Sequence, residues 1–224
     1  MVLLGTPEPL HDARVSSEYR AVPLRYWNLL RLLPMTAATA QPGSSPGAPI
    51  RVVALTGFMG CGKSTVGQAL AAHLGWEFRD LDSAIEARSG RKIREIFRAD
   101  GEAAFRAREH ETLERLLGEC GRPTVLALGG GTFVQPDNAE LLRLTRVPTI
   151  FLDVPIDELL RRCEAEQQFS RHNLRPLASD EPSFRALHAE RLPLYRQAEL
   201  VVDASLPPEQ VARDIAAALP LPRP

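Results

Sequence analysis

The chain has 224 residues, 27 Lys and Arg against 28 Asp and Glu, and a net charge of −1. That balance excludes a basic surface built for nucleic acid or an acidic membrane, and no apolar run approaches the ~18 residues that would span a bilayer. The three cysteines, Cys61, Cys120 and Cys163, are odd in number and scattered, which fits neither a disulfide framework nor a metal site and suits a reducing cytoplasm.

Residues 1–49 read differently from the rest. Thr36 to Pro49, TAATAQPGSSPGAP, has the composition of a disordered linker. The apolar stretch Tyr26–Leu33 is too short, and too far from the first residue, for a signal peptide. A transit peptide is poor in acids, whereas Glu8, Asp12 and Glu18 are present. Met35 offers an alternative start. A non-catalytic extension is therefore expected over 1–49, one α/β domain over 50–219 and a tail over 220–224.

The stretch from Arg51 to Gly67 organises the domain. Val52-Val53-Ala54-Leu55-Thr56 reads as a buried strand. It runs into Gly57-Phe58-Met59-Gly60-Cys61-Gly62-Lys63-Ser64, which meets G-x-x-x-x-G-K-[ST] at every fixed position. The spacing predicts a helix over 63–74, closed by Gly75. Glycines let backbone N–H groups turn inward around phosphate oxygens, and the helix presents its positive end to them. Lys63 then reaches the β- and γ-phosphates, and Ser64 offers its hydroxyl to Mg²⁺. An ordinary glycine-rich turn is the bland alternative; the flanking strand and helix favour a nucleoside-triphosphate site. Gly60, Cys61, Gly62, Lys63, Ser64 and Thr65 are its expected ATP-binding residues.

Downstream, Trp76–Arg79 reads as a strand with Asp80 and Asp82 at its carboxyl end. Ser83-Ala84-Ile85-Glu86 has capping-box form and should open a helix. Ile93, Ile96 and Phe97 make a helical stripe, followed by a helix from about 101 to 117. A strand at 124–128 ends in Gly129-Gly130-Gly131. A helix near 137–144, a strand at 149–153 and a helix from Pro155 to about 166 follow. A polar stretch at 167–180 is expected to be a lid. Then come a helix over 182–197, a strand at 200–202 and a last helix from Pro207 to about 219. Strands alternating with helices predict a five-stranded parallel sheet covered on both faces.

Several of these residues have two readings. Asp82 either serves the ligand side of the sheet edge or merely favours a helix N-terminus. An arginine on a helix is commonly a solvated charge, as expected for Arg108, Arg115 and Arg196. The three glycines form either a tight turn or a place where backbone approaches a substrate without Cβ interference. Asp153 is read as a structural residue near a helix start.

The order GFMGCGKST, then FRDLD at 78–82, FR at 105–106, GGG at 129–131, RPL at 175–177 and RLPLYR at 191–196 resembles the shikimate kinase family over residues 50–219. The resemblance implies a P-loop fold like that of nucleoside-monophosphate kinases, with a mobile lid. It implies phosphorylation of a shikimate hydroxyl by ATP, giving shikimate 3-phosphate and ADP, with Mg²⁺ held by Ser64 and, through water, by Asp80. Lys63, Asp82 and Arg175 are the implied catalytic residues, Asp82 orienting the attacking hydroxyl. Arg106 and Arg191 are implied to hold the substrate carboxylate beside Gly129, Gly130 and Gly131, with Glu109 bracing Arg106. Arg175, with Arg162, is implied at the nucleotide, and Arg171 competes with Arg175 because the segment between 162 and 175 is long. No arginine stands near Ser205-Leu206-Pro207, where adenine contacts are expected. A monomeric cytoplasmic enzyme acting on small molecules alone follows. The alternatives are a gluconate-type sugar-acid kinase and a catalytically inactive nucleotide-binding homologue.

Overall fold

The computed structural model describes residues 50–169 and 180–221. Five strands, β1 (Val52–Thr56), β2 (Glu77–Asp80), β3 (Thr124–Ala127), β4 (Thr149–Asp153) and β5 (Leu200–Asp203), form one sheet in the order β2-β3-β1-β4-β5. Every neighbouring pair is parallel. All five residues of β1 are buried, as the continuous apolar run of a central parallel strand requires. The helices are α1 (Lys63–Leu74), α2 (Leu81–Ser89), α3 (Ile93–Glu119), α4 (Pro136–Leu144), α5 (Ile156–Phe169), α6 (Glu181–Tyr195) and α7 (Pro208–Ala218). α1 packs on α7 and against β1, β2 and β3. Leu55, Leu70, Leu113, Leu141, Ile150, Val211 and Ile215 are fully buried in the resulting core.

This element order is the expected one, and the differences are local. α2 opens at Leu81 rather than after Ser83: the Asp80 carboxylate accepts from the Ser83 N–H at 3.0 Å and is itself the N-cap. The Ser83-x-x-Glu86 capping box does not form. Glu86 instead accepts from the Ile93 N–H at 3.1 Å and from Lys92 Nζ at 2.7 Å, so it secures the start of α3. The stripe at 93–97 and the helix beyond it make one rod with a break at Gly101, whose φ of 81° and ψ of 175° interrupt the helix. α5 extends to Phe169, so the front of the expected lid is helical. Arg171 and Arg175 lie outside the described residues.

Sheet order decides where chemistry can happen. β1 lies between β3 and β4, and β2 pairs with β3. The carboxyl ends of β1, β3 and β2 therefore bring the phosphate loop, the triglycine loop and Asp80 to one edge, where ligands bind in open parallel sheets.

Candidate active site

The phosphate loop wraps the start of α1. Gly62 is the N-cap at φ 88°, a left-handed conformation that favours glycine, and no side chain caps the helix. With no acid in the first turn, the helix N-terminus is kept for an anion from outside. Lys63 Nζ donates to the carbonyls of Gly57 at 2.9 Å and Phe58 at 3.0 Å, which folds the ammonium over the loop. Cys61 is 1% exposed and its N–H donates to the Phe58 carbonyl at 3.3 Å. It is thus a small buried loop residue rather than an accessible thiol. Ser64 and Thr65 are exposed at the mouth of the loop.

Ser64 Oγ donates to Asp80 Oδ2 at 2.8 Å, while the other Asp80 oxygen caps α2. A hydroxyl and a carboxylate beside the phosphate loop form a hard-oxygen pair. Such a pair suits a divalent cation that takes few protein ligands and draws the rest from phosphate and water. Among the described residues no cluster of three or more His, Cys, Asp or Glu could hold a metal by itself.

The triglycine loop follows β3, whose Ala127 pairs with Asp80, and each of its glycines adjoins a different site residue. A Cβ on Gly129 would lie 2.7 Å from Asp82 Oδ1. The Gly130 carbonyl accepts from Arg191 Nη1 at 3.3 Å. A Cβ on Gly131 would lie 2.8 Å from both terminal nitrogens of Arg106. With the side chains placed as they are, a methyl group at 129 or 131 would force one of them to move, so close approach of Asp82 and Arg106 accounts for both glycines. The loop also adjoins the phosphate loop, since a Cβ on Gly130 would stand 3.8 Å from the Met59 amide nitrogen. Asp82, Arg106 and Arg191, from α2, α3 and α6, are thereby gathered on the triglycine loop, which adjoins the phosphate loop.

Arg106 is held rigidly. Its Nη1 donates to Glu109 Oε2 at 2.9 Å, and its Nε and Nη2 reach Glu102 at 3.3 and 3.2 Å. Glu109 is 1% exposed and its other oxygen accepts from Thr132 Oγ1 at 2.7 Å. Burial works to lower the Arg106 pKa, but the paired Glu109 and Glu102 raise it, so the guanidinium stays charged. Asn138 Nδ2 donates to the Thr132 carbonyl at 3.1 Å, and its oxygen faces His110 Nδ1 at 2.7 Å. Thr132, Asn138 and Tyr195 were not among the expected site residues, because small or aromatic groups buried by tertiary contacts leave no local pattern.

Arg162 donates to the Ala204 carbonyl at 3.2 Å and to Glu158 at 2.7 Å, and its Nη1 would stand 4.0 Å from a Cβ on Gly62. Hydrogen bonds from Arg161 and Arg162 pull the Glu158 pKa down to about 2. This places Arg162 between the phosphate loop and the segment after β5. Asp153 ends β4 and faces Arg196 at 4.0 Å. Arg108 pairs with Asp100 and Arg115 with Glu119, both largely solvated as expected.

The family model for shikimate kinase matches residues 59–220. The chain is 42% identical over 171 residues to the shikimate kinase of Synechococcus elongatus, covering 74% of this chain and 85% of that one. The chain belongs to the shikimate kinase family. It is also 46% identical over 156 residues to the shikimate kinase of Halorhodospira halophila, covering 67% and 82% of the two chains. Among solved structures, the shikimate kinase from Acinetobacter baumannii in complex with shikimate superposes with a TM-score of 0.67 at 34% identity, covering 75% of this chain and 92% of that one. Asp80, Asp82, Arg106 and the triglycine loop of this family member all fall inside the matched span.

Proposed function

We propose that residues 50–219 form an ATP-dependent kinase that transfers the γ-phosphoryl group of ATP to a hydroxyl of shikimate, giving shikimate 3-phosphate and ADP. One observation carries this reading: Asp82, Arg106 and Arg191 meet on a glycine loop that itself adjoins the phosphate loop. A kinase for an acidic polyol needs such an arrangement, with an anion clamp and a hydroxyl-orienting carboxylate a short distance from the γ-phosphate.

Arg106 and Arg191 each offer a planar fork to the substrate carboxylate. Asp82 orients the attacking hydroxyl and takes its proton as transfer proceeds. Lys63 and the backbone N–H groups of Gly60 to Thr65 hold the phosphates, Arg162 borders the nucleotide, and Arg175 is assigned to the transferring charge. Mg²⁺ would be held by Ser64 directly and by Asp80 through water. Bound there, the ion supplies neutralisation of phosphate charge. Residues 1–49 are assigned a non-catalytic role, and the enzyme is read as a cytoplasmic monomer whose cysteines, which form no disulfide among the described residues, stay reduced. Among the described residues no helix is long and apolar enough to cross a membrane.

The test is a coupled ADP-release assay with shikimate and gluconate side by side. Turnover with shikimate alone is expected. Preferential turnover with gluconate would assign the chain to sugar-acid kinases, and turnover with neither would make it a nucleotide-binding homologue without catalysis.

A further inference from the structure

Tyr195 heads the fully buried side chains by volume among the described residues, yet it carries a hydroxyl. It closes α6 one turn after Arg191, so the two side chains share a helix face. Its hydroxyl donates to the Gly130 carbonyl, the same oxygen that accepts from Arg191 Nη1 at 3.3 Å. The ring stacks on Phe151 of β4, with centroids 5.3 Å apart and planes inclined by 20°. Burial pushes its pKa up to about 12, against the lowering influence of Arg191, so the hydroxyl remains a donor at every working pH.

A carbonyl oxygen has two lone pairs. Here one is taken by the tyrosine, and the arginine meets the other at a long distance. We infer that Tyr195 is a positioning residue for the acid-binding arginine: it anchors the Gly130 carbonyl to the end of α6 and sits against Arg191, which keeps the guanidinium fork available to the substrate anion. This inference rests on the reading of Arg191 as a carboxylate ligand. Without the hydroxyl, Gly130 loses its firm donor, Arg191 closes onto the vacated carbonyl, and the loop and the substrate compete for the same N–H groups.

Tyr195→Phe removes the hydroxyl and keeps the ring, its stacking and its volume. The KM for shikimate should rise about 3- to 10-fold, the effect of one net hydrogen bond. The kcat should stay within about twofold and the KM for ATP should not move. In an Arg191→Ala background the same substitution should add nothing, because its effect travels through the arginine. A purely architectural tyrosine predicts otherwise, with a lower melting temperature, both KM values or kcat affected, and the same loss with or without Arg191. That pattern, or a shikimate KM unchanged by Tyr195→Phe while Arg191→Ala raises it, overturns the inference alone. If Arg191→Ala itself leaves the shikimate KM unchanged, the clamp and the inference fall together. Should Tyr195→Phe not fold, Phe151→Leu loosens the ring's seat with the hydroxyl retained. The inference then expects the shikimate KM to rise with the ATP KM unchanged, and equal changes in both overturn it.

Discussion

A single methyl group at position 131 separates the proposed clamp from a merely structural loop. A Cβ there would lie 2.8 Å from both terminal nitrogens of Arg106 and 3.1 Å from its Cζ. Ordinary contact needs about 3.5 Å, so the guanidinium must withdraw by roughly 0.7 Å. It is the far end of a flexible side chain, so the backbone can stay, and the cost in stability should remain below about 1 kcal/mol. The withdrawn group is still tethered to the buried Glu109 at 2.9 Å and to Glu102 at 3.2 Å, so it shifts from the position beside Gly131 without leaving α3. A substrate carboxylate would then lose one charge-assisted contact, worth about 1.5–3 kcal/mol, or roughly 10- to 150-fold in kcat/KM. The assay is coupled ADP release, varying shikimate at saturating ATP and then the reverse, with a melting curve beside it. Gly131→Ala is expected to lose its activity in the shikimate dependence, keep its KM for ATP and melt close to the parent. A kcat/KM for shikimate within about twofold of the parent, only ~0.4 kcal/mol, would refute the placement of the substrate anion at Arg106.

Arg106→Lys and Arg191→Lys keep the charge and lose the planar fork, so each should lower kcat/KM for shikimate by about 30-fold or more while sparing ATP affinity. Steady-state kinetics check this, and a change within twofold speaks against the clamp. Ser64→Ala removes the hydroxyl partner of Asp80 and should raise the Mg²⁺ concentration for half-maximal activity about tenfold, the scale of one lost metal-site contact; an unaltered metal titration would remove Ser64 from that site. Burial lowers the His188 pKa, opposed by Asp153 and aided by Arg196, so below about pH 6.5 the unfolded chain binds the extra proton. Stability should therefore be complete above that pH and fall on acidification, and His188→Phe should flatten the loss between pH 6.5 and 5; parallel melting profiles would exclude His188 as the cause. Thr56 Oγ1 is buried without a partner among the described residues, so Thr56→Val should leave the melting temperature unchanged or raise stability by up to about 1 kcal/mol, whereas a clear fall would reveal a hidden partner for the hydroxyl.

The fold was legible because its signals are local. β1, β3 and β4 are short β-branched runs, and the Gly75 cap adopts the left-handed φ of 68° that its identity suggests. The phosphate loop was legible for the same reason, since its glycines and lysine act within eight consecutive residues. Ser83-x-x-Glu86 misled because two caps compete: Asp80 reaches the Ser83 N–H first and frees Glu86 to serve the next helix. The proposed substrate side rests on the family's ordered motifs, because Asp82, Arg106 and Arg191 are brought together by sheet order and not by spacing. Thr132 and Asn138 could not be read at all. Their burial and bonding depend on how α3 meets the loop after β3, which no periodicity encodes.

Helix α6 shows why the proposed acid subsite and the phosphate loop keep a fixed separation. Phe184, His188, Arg191 and Tyr195 recur at steps of four, three and four residues, which puts them on one helix face. The first two meet Phe58 of the phosphate loop edge-on, at ring-centroid distances of 4.9 and 5.2 Å. The last two donate to Gly130 of the triglycine loop. One helix therefore touches both loops, and Phe58 is only 1% exposed, so the contact at that end is closely packed. In-line transfer depends on the distance between the attacking hydroxyl and the γ-phosphate, and an error of about 1 Å costs on the order of a hundredfold. A face that binds phosphate-loop and substrate-loop elements to a single helix sets that distance in the protein before either substrate arrives.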